Sequence, residues 1–250
     1  LQPQVCTKTG TIFGMEGLGR IRSQSGELLV PGMILPVLTE MGRLADFDFE
    51  VTKRCLDALV AMRAAGHHMP YVSVNASAES LRLPDYAARI CNELEARGLT
   101  GDDIVIEILE STLIESEEDA AAKSIYRIRD AGIKAIMDDF GSGHATLSNL
   151  LKLELDGLKV DRSLIADLES NKTLQLVRSV HGLAKDLELD VIIEGVETPQ
   201  QFAILRSIGC DVIQGFGISK PLEFSQFMAW LEDYGVSSTN TLQNRLRQFP

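Results

Sequence analysis

The chain has 250 residues, 45% of them hydrophobic and 24% charged, with a formal net charge of -12. That balance suits a globular α/β chain with a large core, and the acidic excess excludes a surface built to coat a nucleic-acid polymer, which needs clustered Lys and Arg. The four cysteines, Cys6, Cys55, Cys91 and Cys210, form no CxxC pair, so neither a disulfide framework nor a zinc site is expected and a reducing, cytoplasmic setting is the simpler reading.

In chain order, the sequence opens at Leu1-Gln2-Pro3 inside what reads as a strand, with no initiator Met and no signal peptide. A fragment of a longer protein, its cytoplasmic part, is expected. A strand follows over Thr11–Leu18. The apolar stretch from Leu28 to Leu38 is broken by Pro31 and Pro36, and no run approaches the roughly 18 residues of a membrane span. Strands are then predicted at Tyr71–Asn75, Ile104–Ile108, Ala135–Asp138, Gly157–Val160, Val191–Glu194 and Val212–Gly215. Helices are predicted between them at Phe47–Ala64, Pro84–Ala96, Ser116–Ala131, Lys172–Leu187, Pro199–Ile208 and Glu223–Tyr234. Gly132 is placed to stop one helix, and Thr198-Pro199 to start another as cap and first helical residue. His67-His68 reads as a solvated loop pair, and Met33, Met41 and Met62 as core filler. The polar end of the chain, from residue 236 to 250, is expected to be a tail beyond a single domain over 1–235.

Nearly all-apolar strands alternating with helices favour a TIM-like (β/α)8 barrel over an open doubly wound sheet. No Gly-x-Gly-x-x-Gly opens an early helix, so a dinucleotide crevice is not signalled. Barrel enzymes place their chemistry at the C-terminal ends of the strands, and there the acidic and polar residues fall. Glu16, Asn75, Glu107, Asp138-Asp139, Lys159 with Asp161, Glu194 and Gln214 end successive strands. Converging carboxylates repel one another and are costly to bury without a cation. A bound hard divalent ion with oxygen ligands resolves both problems. Asp139-Phe140-Gly141 matches the kinase magnesium motif, but the Gly-rich loop, the Val-Ala-Ile-Lys strand and the His-Arg-Asp loop are missing.

Met15-Glu16-Gly17-Leu18-Gly19-Arg20, Val72-Ser73-Val74-Asn75, Ile106-Glu107-Ile108-Leu109-Glu110-Ser111, Asp138-Asp139-Phe140-Gly141-Ser142-Gly143, Leu158-Lys159-Val160-Asp161, Ile193-Glu194-Gly195-Val196-Glu197 and Gln214-Gly215-Phe216 occur in this order. Over about residues 1–230 the chain resembles the EAL family of cyclic-di-GMP phosphodiesterases. The resemblance implies a barrel with one strand running opposite to the others, and hydrolysis of cyclic di-GMP to linear 5'-pGpG at a two-metal Mg²⁺ or Mn²⁺ site. By the same resemblance, Glu16, Asn75, Glu107, Asp138 and Asp139 are metal ligands. Lys159 holds the attacking water or a substrate oxygen, and Glu194 combines metal binding with general-base work. Glu110 anchors the loop after the Asp pair, and Glu197 closes its own motif. Gln2, Leu18, Arg20 and Gln214 meet the substrate. A homodimer and a regulatory or sensor domain in the parent chain are also implied. Gly17 stands where the family signature has Ala, Ile21 and Glu50 where Trp is usual, Thr39 where Glu is usual, and His144 where an aromatic is frequent. No assigned catalytic position is lost. The alternatives are a receptor that binds cyclic di-GMP without turnover, and an enolase-like barrel lyase.

Overall fold

The computed structural model describes residues 1–109, 112, 119–142 and 153–236. Ten strands are found among them: β1 Gln2–Cys6, β2 Ile12–Gly17, β3 Ile21–Arg22, β4 Leu28–Leu29, β5 Val72–Ala76, β6 Ile104–Leu109, β7 Lys134–Phe140, β8 Gly157–Val160, β9 Asp190–Ile193 and β10 Val212–Ile213. All but β3 and β4 close a barrel in the order β1-β10-β9-β8-β7-β6-β5-β2. Its helices are α1 Pro31–Glu40, α2 Leu44–Ala64, α3 Ala78–Leu81, α4 Tyr86–Glu95, α5 Ala120–Asp130, α6 Asn171–Asp186, α7 Pro199–Ser207 and α8 Phe224–Val236.

β1 is antiparallel to both its neighbours, whereas the remaining barrel pairs are parallel. The reason is local. Only a tight turn separates β1 from β2, closed by Gly10 N–H on Cys6 O at 2.9 Å with Gly10 at φ +70. So short a link permits a hairpin but not a parallel crossover, which needs a dozen or more residues. The reversal places the start of β1 at the end of the barrel where the other strands finish, and Gln2 pairs directly with Glu16.

The lumen is layered. Val105, Ile136, Ile192 and Val212 pack into one apolar cluster, with Phe13 and Tyr71 against it. Two residues further along each strand stand Glu107, Asp138, Glu194 and Gln214. A strand's side-chain period is two, so the same face carries an apolar layer and then a polar one. The larger core lies outside the barrel, where Leu56, Leu59 and Met62 of α2, Ile90 of α4 and Ile125 and Ile128 of α5 pack against strand residues such as Val74, Ile106 and Met137.

Local signals explain several helix starts. Asp119 accepts from Ala121 N–H at 3.0 Å to open α5, and Thr198 with Gln201 forms a reciprocal capping box at α7. Gly132, at φ +76, follows α5. The Leu28–Leu38 stretch differs from its sequence reading. Pro31 does not break structure there but starts α1, where its missing N–H has no intrahelical partner to lose, and Pro36 lies inside the same helix. Met33 and Met41 are correspondingly exposed and not core residues, because α1 buries only Ile34; Met62 is buried as expected. No helix among the described residues is long and apolar enough to cross a membrane. Val236, the first residue of the tail expected over 236–250, instead ends α8, and residues 237–250, Glu110, Gly143 and His144 lie outside the described residues.

Candidate active site

The strand ends bring the sequence-predicted residues to one mouth of the barrel. The Lys159 ammonium, 1% exposed, lies 2.8 Å from Glu107 Oε2, 3.2 Å from Asp138 Oδ1, 3.3 Å from Glu16 Oε2 and 2.5 Å from Glu194 Oε1. These carboxylates come from β6, β7, β2 and the end of β9. Asn75 Nδ2 donates to Glu16 Oε1 at 3.1 Å, and Gln214 Nε2 donates to Glu16 Oε2. Gln2 joins through its Oε1, which accepts from Gln214 Nε2 at 3.1 Å, while its Nε2 donates to Ser219 O.

Asp138 and Asp139 are adjacent, and in a regular strand their side chains would point to opposite faces. The β7–β8 register breaks between Met137 and Phe140, and Asp139 adopts φ +59. This bulge turns both carboxylates toward the mouth, and ligand oxygens of Asp138, Asp139 and Glu194 come within 4.8 Å of one another. Asp139 N–H donates to Asp138 Oδ1 at 2.9 Å.

Charge crowding sets the protonation states. Burial would lower the Lys159 pKa, but Glu107, Glu16, Asp138 and Glu194 outweigh it and hold it well above the usual lysine value. Burial, followed by the nearby Glu16 and Asp138 charges, pushes Glu107 well above the carboxylate range despite Lys159. Burial also raises Glu194, to about 7. For Glu16 burial acts upward too, yet Lys159 and the hydrogen bonds from Gln214 and Asn75 prevail and keep it low. Glu107 Oε1 is buried without a hydrogen-bond partner among the described residues.

A cavity of about 440 Å³ opens above these groups, with Leu18, Leu35, Phe47 and Phe216 among its walls and Glu197 on its lining. The Glu197 backbone N–H donates to Gln201 Oε1 at 2.8 Å. Arg20 does not line this cavity. Its guanidinium donates to Gly19 O at 2.7 Å and borders an adjoining hollow, with Leu18 common to both.

Sequence reasoning missed several members. Phe47, Asp48, Arg162 and Phe216 line the cavity, and Gln4 and Tyr71 bond beneath Gln214. Gln4 carried one signal, its two-residue spacing from Gln2 in a buried strand. Arg162 carried none: it packs against Gly195, where a Cβ at φ +68 would lie 2.2 Å from Arg162 Cβ, a proximity that only the fold creates.

A family model described as EAL domain matches residues 1–221. The chain is 32% identical over 244 residues to cyclic di-GMP phosphodiesterase NbdA of Pseudomonas aeruginosa, covering 97% of this chain and 31% of that protein. The chain spans about a third of the length of the curated relatives it matches. Among solved structures it is similar to the phosphodiesterase PaMucR in complex with c-di-GMP, with TM-score 0.83 and 27% identity over 90% of this chain and 92% of that one. It is likewise similar to the manganese and cyclic-di-GMP complex of Klebsiella pneumoniae BlrP1, with TM-score 0.75 and 32% identity over 86% and 53% of the two chains.

Proposed function

The chain belongs to the EAL domain family, and from that premise we propose that it is a metal-dependent phosphodiesterase opening cyclic di-GMP to linear 5'-pGpG. The observation that carries the reading is the crowding of Glu16, Glu107, Asp138 and Glu194 on one buried ammonium, with Asp139 beside them. Five carboxylates against one ammonium leave four negative charges when all are ionised, which two divalent cations would balance.

The residues fit such ions. Glu107 Oε1 is a buried acceptor in want of a partner, and the raised pKa values of Glu107 and Glu194 mark carboxyls short of positive charge. The donors are all oxygens, as hard cations such as Mg²⁺ or Mn²⁺ prefer. Asp138, Asp139 and Glu194 would hold one ion, and Glu16, Asn75 and Glu107 with Asp138 the other. Two bound ions supply a more acidic water and offset charge on the phosphate oxygens.

Glu194, at the end of β9 beside Asp138 and Asp139, stands where it can take the proton of a water attacking phosphorus as the 3′ oxygen departs. Lys159 stays protonated, positions that water and offsets charge building on the phosphorus oxygens. Leu18, Phe47 and Phe216 offer apolar surface to the guanine faces and Gln2 and Gln214 offer polar edges, while Arg20 reaches the substrate from the adjoining hollow that shares Leu18. Glu197 serves as a loop anchor at the mouth, and the family resemblance alone assigns Glu110 the same role. The catalytic domain of this reading covers residues 1–235. A homodimer, and a regulatory domain elsewhere in a longer parent protein, complete the reading; relatives about three times as long support the latter.

Incubation with cyclic di-GMP and Mg²⁺ or Mn²⁺ should yield pGpG, resolved by chromatography, and excess chelator should stop it. Tight binding of cyclic di-GMP without turnover at any cation concentration would instead establish the receptor alternative.

A further inference from the structure

Below Glu16 and Gln214 the polar layer continues as a chain of hydrogen bonds whose lower members, Gln4 and Tyr71, the proposed chemistry does not use. Tyr71 OH donates to Gln4 Oε1 at 2.6 Å, Gln4 Nε2 donates to Gln214 Oε1 at 3.0 Å, and Gln214 Nε2 donates to Glu16. Gln4 is fully buried inside the barrel. The register makes room for this chain. Gln4 pairs with Gly14, and a Cβ on Gly14 would lie 2.5 Å from the Tyr71 ring. The missing side chain lets the phenol reach across to Gln4.

The direction of the chain is forced. An ionised carboxylate only accepts, so Gln214 must turn its NH₂ toward Glu16. Its carbonyl oxygen then needs a donor, which is the NH₂ of Gln4. The Gln4 oxygen needs one in turn, which is the Tyr71 hydroxyl. Turning either amide over would set oxygen against oxygen in a buried site, where water cannot satisfy the unmet groups. Fully satisfied buried networks of this kind specify one arrangement.

We infer that Gln4 and Tyr71 are positioning residues: they lock the Gln214 carboxamide in the orientation that donates to Glu16, and so hold the Glu16 carboxylate in place as a cation ligand. The inference rests on the cation site proposed above. Partners of ligands typically change metal affinity by about 10- to 100-fold when removed.

The test is Mn²⁺ affinity measured by calorimetry, with thermal unfolding in chelator as a check of folding. Gln4→Leu, similar in volume, should weaken Mn²⁺ binding on the order of tenfold. Tyr71→Phe, which deletes one hydroxyl, should weaken it in the same direction by a smaller factor. In a Gln214→Leu background, Gln4→Leu should cause no further loss, because its effect passes through Gln214. Wild-type affinity in Gln4→Leu, or in Tyr71→Phe should Gln4→Leu fail to fold, overturns the inference, as does an additive loss in the double variant. A wild-type protein that takes up no Mn²⁺ overturns the cation site itself, and that failure is visible before any variant is made.

Discussion

Lys159 is the residue on which the site balances. Its ammonium is the shared counter-charge of four carboxylates, and removing it leaves them to repel one another. Lys159→Ala should abolish most hydrolysis and destabilise the cation-free protein by about 3–5 kcal/mol, the usual cost of breaking a buried ion pair. Added Mn²⁺ should recover much of that stability, because metal binding persists. Lys159→Arg keeps the charge but not the shape and should still lose most activity. Thermal melts with and without cation, beside turnover, separate the two effects; normal hydrolysis by Lys159→Ala would reduce it to a structural residue. Glu194 makes the complementary case. Glu194→Gln should lower turnover by about 10²–10⁴-fold, the range for loss of a general base. It removes a carboxyl already strained by burial, so the melting temperature in chelator should not fall.

Two elements carry consequences of their own. The end of β2 replaces the family's Ala by Gly17, and a Cβ there would lie 2.2 Å from Cys55 Sγ on α2. The change reads as small-for-small in the sequence, yet the cysteine fills the space a methyl would occupy. Gly17→Ala should therefore cost about 1–3 kcal/mol by overpacking and disturb Glu16 beside it. Cys55→Ala in the same chain should restore both stability and turnover, and denaturant midpoints of the single and double variants measure it. On α6, His181 is 7% exposed and its Nε2 has no hydrogen-bond partner among the described residues. Burial, followed by the Lys185 charge, holds its pKa below the ordinary 6.5. As pH falls below 6.5 the unfolded chain takes up that proton before the folded one, so the contribution of His181 is present above 6.5 and lost below it. Unfolding midpoints from pH 7 to 5 should drop less steeply in His181→Leu than in wild type.

At the scale of the whole molecule, the acidic site exists only while the barrel is closed. Glu16, Asn75, Glu107, Asp138 and Glu194 come from separate strands or strand ends, and the unfolded chain holds no such cluster. Divalent cations should therefore bind the folded state alone and stabilise it by about 2.7 kcal/mol at a hundredfold excess over the dissociation constant. A rise in melting temperature with Mg²⁺ or Mn²⁺, reversed by chelator, is the expected result; an unchanged melt would contradict the site.

The alternation of apolar strands and helices, the polar residue closing each strand, and their order along the chain were legible in the sequence. They depend on local periodicity and residue type, so the barrel and the position of the acidic set at its mouth followed. The reversed first strand came only by resemblance, although a turn as short as that between β1 and β2 already forbids a parallel crossover. Three features needed the tertiary structure. The bulge that turns Asp138 and Asp139 to the same side arises from a register break between β7 and β8, which neither strand encodes alone. The contact of Cys55 with Gly17, and the chain from Tyr71 through Gln4 to Gln214, join residues 38, 67 and 210 positions apart. What the sequence determined by itself was the set of charges and the face each strand presents, because both follow from side-chain chemistry and a period of two. Which atoms meet, which amide donates and which carboxyl keeps its proton were decided only when barrel closure packed those faces together and removed the water between them.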